Sequence, residues 1–250
     1  MSKKTTSTKT PKVNFHVITL FPESIEPYLA TSILGRARGL TGKKKGATPV
    51  ITVSYYNPRH YSTDKWKRVD QRPYGGGPGM VLEPESLLKA GVKAGALKKG
   101  TEVIFFSPSG KQFDAAEARR LAKKRDIVFI SGRYEGVDAR VPKILKATAM
   151  SVGPYVLTGG ELPAALMIDA IARQVPGVLG DINSLEERRK STYKAHGEQD
   201  DATASSEVYT KPEKLLWRKK KYKVPAVLLS GNHQAIEEWK KKRHSAVSED

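Results

Sequence analysis

The sequence predicts an α/β domain built on a parallel sheet with helices on both faces. Three observations carry that expectation. Strand-sized apolar runs alternate along the chain with segments of helical period. Several of those runs stop at glycine: Ile127-Val128-Phe129-Ile130 ends at Ser131-Gly132, and Ala147 to Val152 ends at Gly153-Pro154 and again at Gly159-Gly160. Finally, a 250-residue chain with 38% hydrophobic residues can bury a sizeable core. Apolar strands that stop at glycines expose backbone at the carboxyl ends of a parallel sheet, where ligands of such folds sit.

In chain order, Val13 to Leu20 reads as a buried first strand, stopped by Pro22. Glu23 to Leu40 has helical spacing (Ile25, Tyr28, Leu29, Ile33, Leu34) that Gly35 and Gly39 weaken near its end. Val50 to Tyr56 is a second strand, enriched in β-branched residues. Pro58 to Met80 has no strong period and is rich in charge and glycine; long irregular stretches inside a domain are usually functional. Glu83 to Ala96 reads as a helix and Thr101 to Ser107 as a strand. Asp114 with Glu117 has the capping-box spacing and opens a helix to Lys124. A strand (Ile127 to Ser131), a short helix (Val137 to Lys146), a strand (Ala147 to Val152) and a helix (Glu161 to Gln174, closed by Pro176-Gly177) follow.

The organisation expected is a basic tail over 1–12, a ligand-binding domain over 13–176, a polar linker over 177–207 and a small helical domain over 208–250. Within the last, Pro212 to Lys223 and Ser230 to Lys242 read as helices, the second capped within Ser230-Gly231-Asn232-His233. Unaided, the pattern implies an ordinary unknotted Rossmann-like sheet.

Composition narrows the chemistry. The chain has no cysteine, which removes disulfides, thiolate metal sites and cysteine nucleophiles together. The net charge of +18 points to a polyanionic partner, most simply nucleic acid. Its basic residues cluster at Lys43 to Lys45, Lys65 to Arg68, Arg218 to Lys223 and Lys240 to Arg243, with Trp66, Trp217, Tyr222 and Trp239 in or beside them. Aromatics among cations suit unpaired bases, and each is equally at home in packing. No run reaches membrane-spanning length and the amino terminus has no apolar secretory segment, so the cytoplasm is the expected location.

The motifs Gly132-Arg133-Tyr134-Glu135-Gly136-Val137-Asp138-Ala139-Arg140 and SVGPYVLTGGELPAALMIDAIAR (151–173) stand with PYGGGPGM (73–80) upstream and SGNH (230–233) downstream. This set, in this order, resembles the bacterial tRNA (guanine-N1)-methyltransferases over Val13 to Lys242. The segment after Trp239 is shorter than the family's. The resemblance implies a carboxyl-terminal trefoil knot in the sheet domain and a homodimer with active sites between subunits. It also implies S-adenosylmethionine as methyl donor, a weakly held Mg2+, and a helical carboxyl domain that grips tRNA. The reaction implied is methylation of N1 of the guanosine just 3′ of the anticodon. The usual methyltransferase GxGxG after the first strand and the P-loop GxxxxGK[ST] are both missing, as in knotted methyltransferases.

Carried over residue by residue, the resemblance places the donor on Phe106, Ser107, Pro108, Gly132, Glu135, Val152, Gly153, Pro154, Tyr155, Val156, Leu157, Gly159 and Gly160. Arg173 matches the arginine beside guanine O6; its alternative is a helix-end salt bridge. Lys67, Arg68, Asp70, Arg72 and Arg133 match target-handling positions, with the glycines of 75–79 near phosphate or the donor pocket. The family's general base is an aspartate eight residues beyond the Gly180 position, where this chain has Arg188. A cation cannot accept a proton, so Glu187 is the substitute, with Glu186, Asp200 and Asp201 as other carboxylates in reach. That departure, with the short carboxyl segment, leaves a second reading, an RNA-binding homologue that keeps the donor pocket without turnover; a third, a knotted enzyme acting on ribose 2′-OH or ribosomal RNA, is disfavoured by the full GRYEG and PYGGGPGM set.

Overall fold

The structure is a computed structural model that describes residues 13–42, 46, 48–179, 208–236 and 238–239. These fall into two compact units, 13–179 and 208–239, each taken by itself below.

The first unit is built on five strands: β1 (Val13–Ile18), β2 (Ile51–Tyr56), β5 (Glu102–Gln112), β6 (Asp126–Ile130) and β7 (Thr148–Ser151). They run in the order β2-β1-β6-β5-β7 and every pairing is parallel. Six helices join them: α1 (Glu26–Leu29), α2 (Ser32–Ala37), α3 (Pro84–Lys93), α4 (Ala115–Leu121), α5 (Arg140–Ile144) and α6 (Glu161–Gln174). A two-residue ladder, β3 (Asp70–Gln71) with β4 (Val81–Leu82), lies in the long connection after β2.

Side-chain alternation along the strands divides the core in two. Phe15 and Val17 of β1, Ile127 and Phe129 of β6, and Met150 of β7 face α1, α2, α4 and α6. Ile18, Val128, Ile130 and Val103 face α3 and α5 on the other side. Phe15 and Phe106 stack on Phe129 from either side, with centroids 6.3 and 5.7 Å away. Phe15 and Phe129 are fully buried, and each such ring contributes roughly 1.5–3 kcal/mol. Continuous burial of Ile127 to Ile130 explains why that strand reads as an unbroken apolar run.

Three expectations need correction. The helix read over Glu23 to Leu40 is a 3-10 turn (Pro22–Ser24) followed by α1 and α2, which part at Ala30-Thr31. The strand read to Ser107 extends to Gln112, because the chain leaves the ladder at Phe106 and rejoins β7 at Lys111; Met150 partners both. Pro212 to Lys223 is not a helix. It is an antiparallel hairpin, β8 (Lys214–Trp217) with β9 (Lys220–Lys223), turned at Arg218 and Lys219, whose φ of 46° and 66° put both in the left-handed region that suits a two-residue hairpin turn.

The hairpin belongs to the second unit, with α7 (Ala226–Leu229) and a further helical stretch over 233–236 and 238–239. Asn232 Oδ1 accepts from the Ala235 amide and caps that stretch, as the sequence led us to expect. Trp239 packs against Tyr209, ring centroids 6.4 Å apart. No helix among the described residues is long and apolar enough to cross a membrane.

Candidate active site

The carboxyl ends of three neighbouring strands meet around one cavity of about 260 Å³. Where β5 leaves the ladder, Phe106, Ser107 and Pro108 form one wall; after β6, Gly132 and Glu135 form the second. The third follows β7 and is made by Val152, Gly153, Tyr155, Val156, Leu157, Gly159 and Gly160. Of the expected donor residues, Pro154 alone is not on the lining. The lining also takes in Phe105, Tyr134, Gly136, Thr158, Pro163 and, unexpectedly, Arg133. Residues 154–159 belong to no helix or strand, so their peptide groups are not spent on a ladder.

Close packing explains the glycines of this wall. A Cβ on Gly160 would lie 2.6 Å from Ser131 Cα, and the Gly160 amide donates to the Gly132 carbonyl at 2.9 Å. A Cβ on Gly153 would meet the Tyr155 ring at 2.2 Å, where that ring is fixed by its hydroxyl donating to the Val152 carbonyl at 3.0 Å. A Cβ on Gly110 would meet the Ala149–Met150 peptide at 2.6 Å, so the stretch that rejoins β7 lies flat against it. Lys111 ties the same stretch to α4 through an ion pair with Glu117. Glu117 also pairs with Arg120, Arg120 with Glu102, and Glu102 with Lys124. Burial pushes the Glu117 and Glu102 carboxyls up, but these cations outweigh it and hold both below the usual range.

Arg133 was expected on RNA. In the structure its Nε lies 2.9 Å from Glu161 Oε2, its Nη1 donates to the Thr158 carbonyl at 3.3 Å, and its guanidinium sits 4.8 Å over the Phe21 ring. Glu161, at the start of α6, is buried and accepts from Thr19 Oγ1 at 2.7 Å. Sequence reading missed Glu161 because an acidic residue in the first turn of a helix needs no further role.

The connection 58–82 reaches this site at one point. The Glu135 amide donates to the Met80 carbonyl, the Leu82 amide to Gly136, and the Asp138 amide to Leu82. A Cβ on Gly79 would meet Glu135 Oε1 at 2.6 Å. Gly75, Gly76 and Gly77 instead take φ of 86°, 81° and 111° with open space around them, and Tyr74 is fully exposed. Lys67 donates to the Ser62 carbonyl; Arg68 pairs with Asp64 at 3.0 Å, and its hydrogen bonds hold that carboxyl down to about 2. Asp70 sits in β3, and Arg72 is exposed beyond it.

Arg173 is not on the cavity. It lies on α6 near its carboxyl end, about 18 Å of helical rise beyond Glu161. Leu162, Leu166, Asp169 and Arg173 share one face of that helix by spacing, and Leu162 and Leu166 are exposed. Tyr28 donates to Asp169 at 2.6 Å, and this bond raises its own pKa. Glu186, Glu187, Arg188, Asp200 and Asp201 lie outside the described residues, as do Lys43 to Lys45 and Lys240 to Arg243. Among the described residues no group of three or more His, Asp or Glu could hold a metal ion such as Mg2+.

The fit to the expected donor can be judged from these walls. A cradle of peptide groups, closed by glycines that admit no side chain and flanked by Phe105, Phe106 and Tyr155, suits a flat heterocycle joined to a polar amino-acid tail.

Comparison with known proteins agrees. Residues 13–249 match the family described as tRNA (Guanine-1)-methyltransferase TrmD. The chain is 40% identical over 231 residues to a tRNA (guanine-N(1)-)-methyltransferase of Pseudoalteromonas atlantica, covering 92% of this chain and 79% of that one. It is 40% identical to the one of Carboxydothermus hydrogenoformans (91% and 81% covered). Against the one of Clostridioides difficile it is 37% identical, with 95% of each chain covered. The chain belongs to the tRNA (guanine-N1)-methyltransferase family.

Proposed function

We propose that the protein transfers a methyl group from S-adenosylmethionine to N1 of the guanosine just 3′ of the anticodon in tRNA. The observation that carries this reading is the glycine-closed cavity at the ends of β5, β6 and β7, in a chain that belongs to this family. Bound there, S-adenosylmethionine supplies an electrophilic methyl on a sulfonium sulfur. Peptide groups of 152–160 orient it, with Phe106, Pro108 and Leu157 as apolar walls. The N1–methyl bond forms as the sulfur–methyl bond breaks, and the N1 proton must leave. Glu187 is our acceptor for that proton, and Arg173 stabilises the charge that its loss puts on O6.

Arg173 lies too far along α6 to serve its own cavity, and the exposed Leu162–Leu166 stripe leads to it. Both support a homodimer in which each subunit lends Arg173 to the other's site. The rejoining of β7 by Lys111 and the nesting of 131–132 against 159–160 are compatible with the family's knot. The second unit would grip RNA: its hairpin carries Lys214, Arg218, Lys219, Lys220, Lys221 and Lys223 on exposed backbone beside exposed Trp217 and Tyr222.

The test is transfer of labelled methyl to unmodified tRNA, with the product base mapped. Label on guanine N1 is expected, retained when inosine replaces the target guanosine and lost when adenosine does. Label on ribose, or uptake of donor with no product, overturns the reading. Glu187→Gln is expected to lower kcat by about 10²–10⁴-fold with donor affinity unchanged.

A further inference from the structure

The geometry points to Glu161 and Arg133 as a positioning pair that sets the shape of the donor cavity, rather than Arg133 serving as a ligand for RNA phosphate. Three strand ends are joined through these two side chains. Glu161, at the start of α6, takes the Thr19 hydroxyl just after β1 with Oε1 and faces Arg133, just after β6, with Oε2. Arg133 in turn reaches the Thr158 carbonyl in the turn after β7 and covers Phe21.

Two further observations support this. Glu161 Oε2 and Arg133 Nε are both buried, neither has a hydrogen-bond partner, and they lie 2.9 Å apart, so the opposite charge of each is the other's compensation for lost water. Gly159 is where the turn passes over the pair: a Cβ there would meet Arg133 Nε at 2.5 Å and Glu161 Oε2 at 2.6 Å. The turn that carries Leu157 and Thr158 along the cavity therefore rests on the ion pair itself. Arg133, with its side chain 23% exposed and its charge matched by a buried carboxylate, is poorly placed to neutralise a phosphate.

The inference rests on the donor-binding reading above, and its test separates the two. Glu161→Gln keeps the bond from Thr19 and the side-chain shape but removes the charge; Arg133→Lys keeps a charge but loses the fork that reaches both Glu161 and Thr158. Both full-length variants are expected to raise the KM for S-adenosylmethionine about tenfold or more while the KM for tRNA stays put. Amides of 158–160 and 132–136 should exchange with solvent faster than in the parent, with or without donor. A rise in the KM for tRNA with that for donor unchanged makes Arg133 a phosphate ligand and overturns the inference. Reduced melting temperature and kcat with both KM values and amide exchange unchanged makes the pair merely structural and also overturns it. If the parent protein takes up no S-adenosylmethionine, the donor reading fails, and amide exchange alone still decides whether the pair holds the loops.

Discussion

Two glycine-rich stretches of this protein use the same residue for opposite reasons. In the turn after β7, Gly153, Gly159 and Gly160 are pressed against other atoms, and any side chain would have to displace Tyr155, the Arg133–Glu161 pair or the Ser131 backbone. In the loop after β3, a side chain on Gly75, Gly76 or Gly77 would meet nothing, and these glycines are needed for their left-handed φ alone. The first stretch is a wall whose shape is set by packing. The second is a projection whose shape is set by its own backbone, free to meet something outside the chain.

The largest effect should follow from disturbing the wall where nothing can yield. Gly160→Ala puts a methyl 2.6 Å from backbone and should cost about 3 kcal/mol in thermal unfolding. It should also abolish donor binding by calorimetry. Gly153→Ala meets a side chain instead; Tyr155 can swing away, losing its bond to Val152, so about 1–2 kcal/mol is expected with weakened donor binding. If both variants bind donor as the parent does, packing does not set the wall.

Gly76→Ala tests the projection. It should cost about 1 kcal/mol at most, from φ of 81°, and leave donor affinity untouched. An equal loss of donor affinity would erase the distinction drawn here.

Acid should act on the wall and not on the projection. Glu102 and Glu117 have folded pKa values below their unfolded ones, so their stabilisation is complete above the ordinary carboxylate pKa of about 4.3 and lost as pH falls through the folded values. Melting temperature should drop below that pH, and Glu117→Gln should reduce unfolding free energy by about 1 kcal/mol at neutral pH while flattening the acid limb. The smallest effect concerns the hairpin. Lys221→Gln with Lys223→Gln should reduce the salt slope of tRNA binding by about 1 per lysine, with donor binding unchanged.

What the sequence revealed, and what it hid, follows the same division. The glycine-stopped runs marked the walls after β6 and β7, because buried strands and their ends are written in local period and punctuation; Phe106 to Pro108 came from the family resemblance instead. The ion pair of Arg133 was not legible because its partner Glu161 is 28 positions on, and nothing local announces an ion pair across a turn. The hairpin was missed because Arg218 and Lys219 adopt the left-handed region without the Asn-Gly or Asp-Gly that normally signals such a turn. The extension of β5 past Gly110 was hidden by Pro108, which reads as a stop.

The strand order has a temporal consequence. At the centre of the sheet β1 pairs with β6, Asn14 beside Asp126, so the middle of the molecule cannot close until more than half the chain is available. Pairings this distant in sequence are slow to form. The donor cradle, which needs β5, β6 and β7 side by side, should be among the last parts to mature, and competence to bind donor should return on refolding only with the slowest phase.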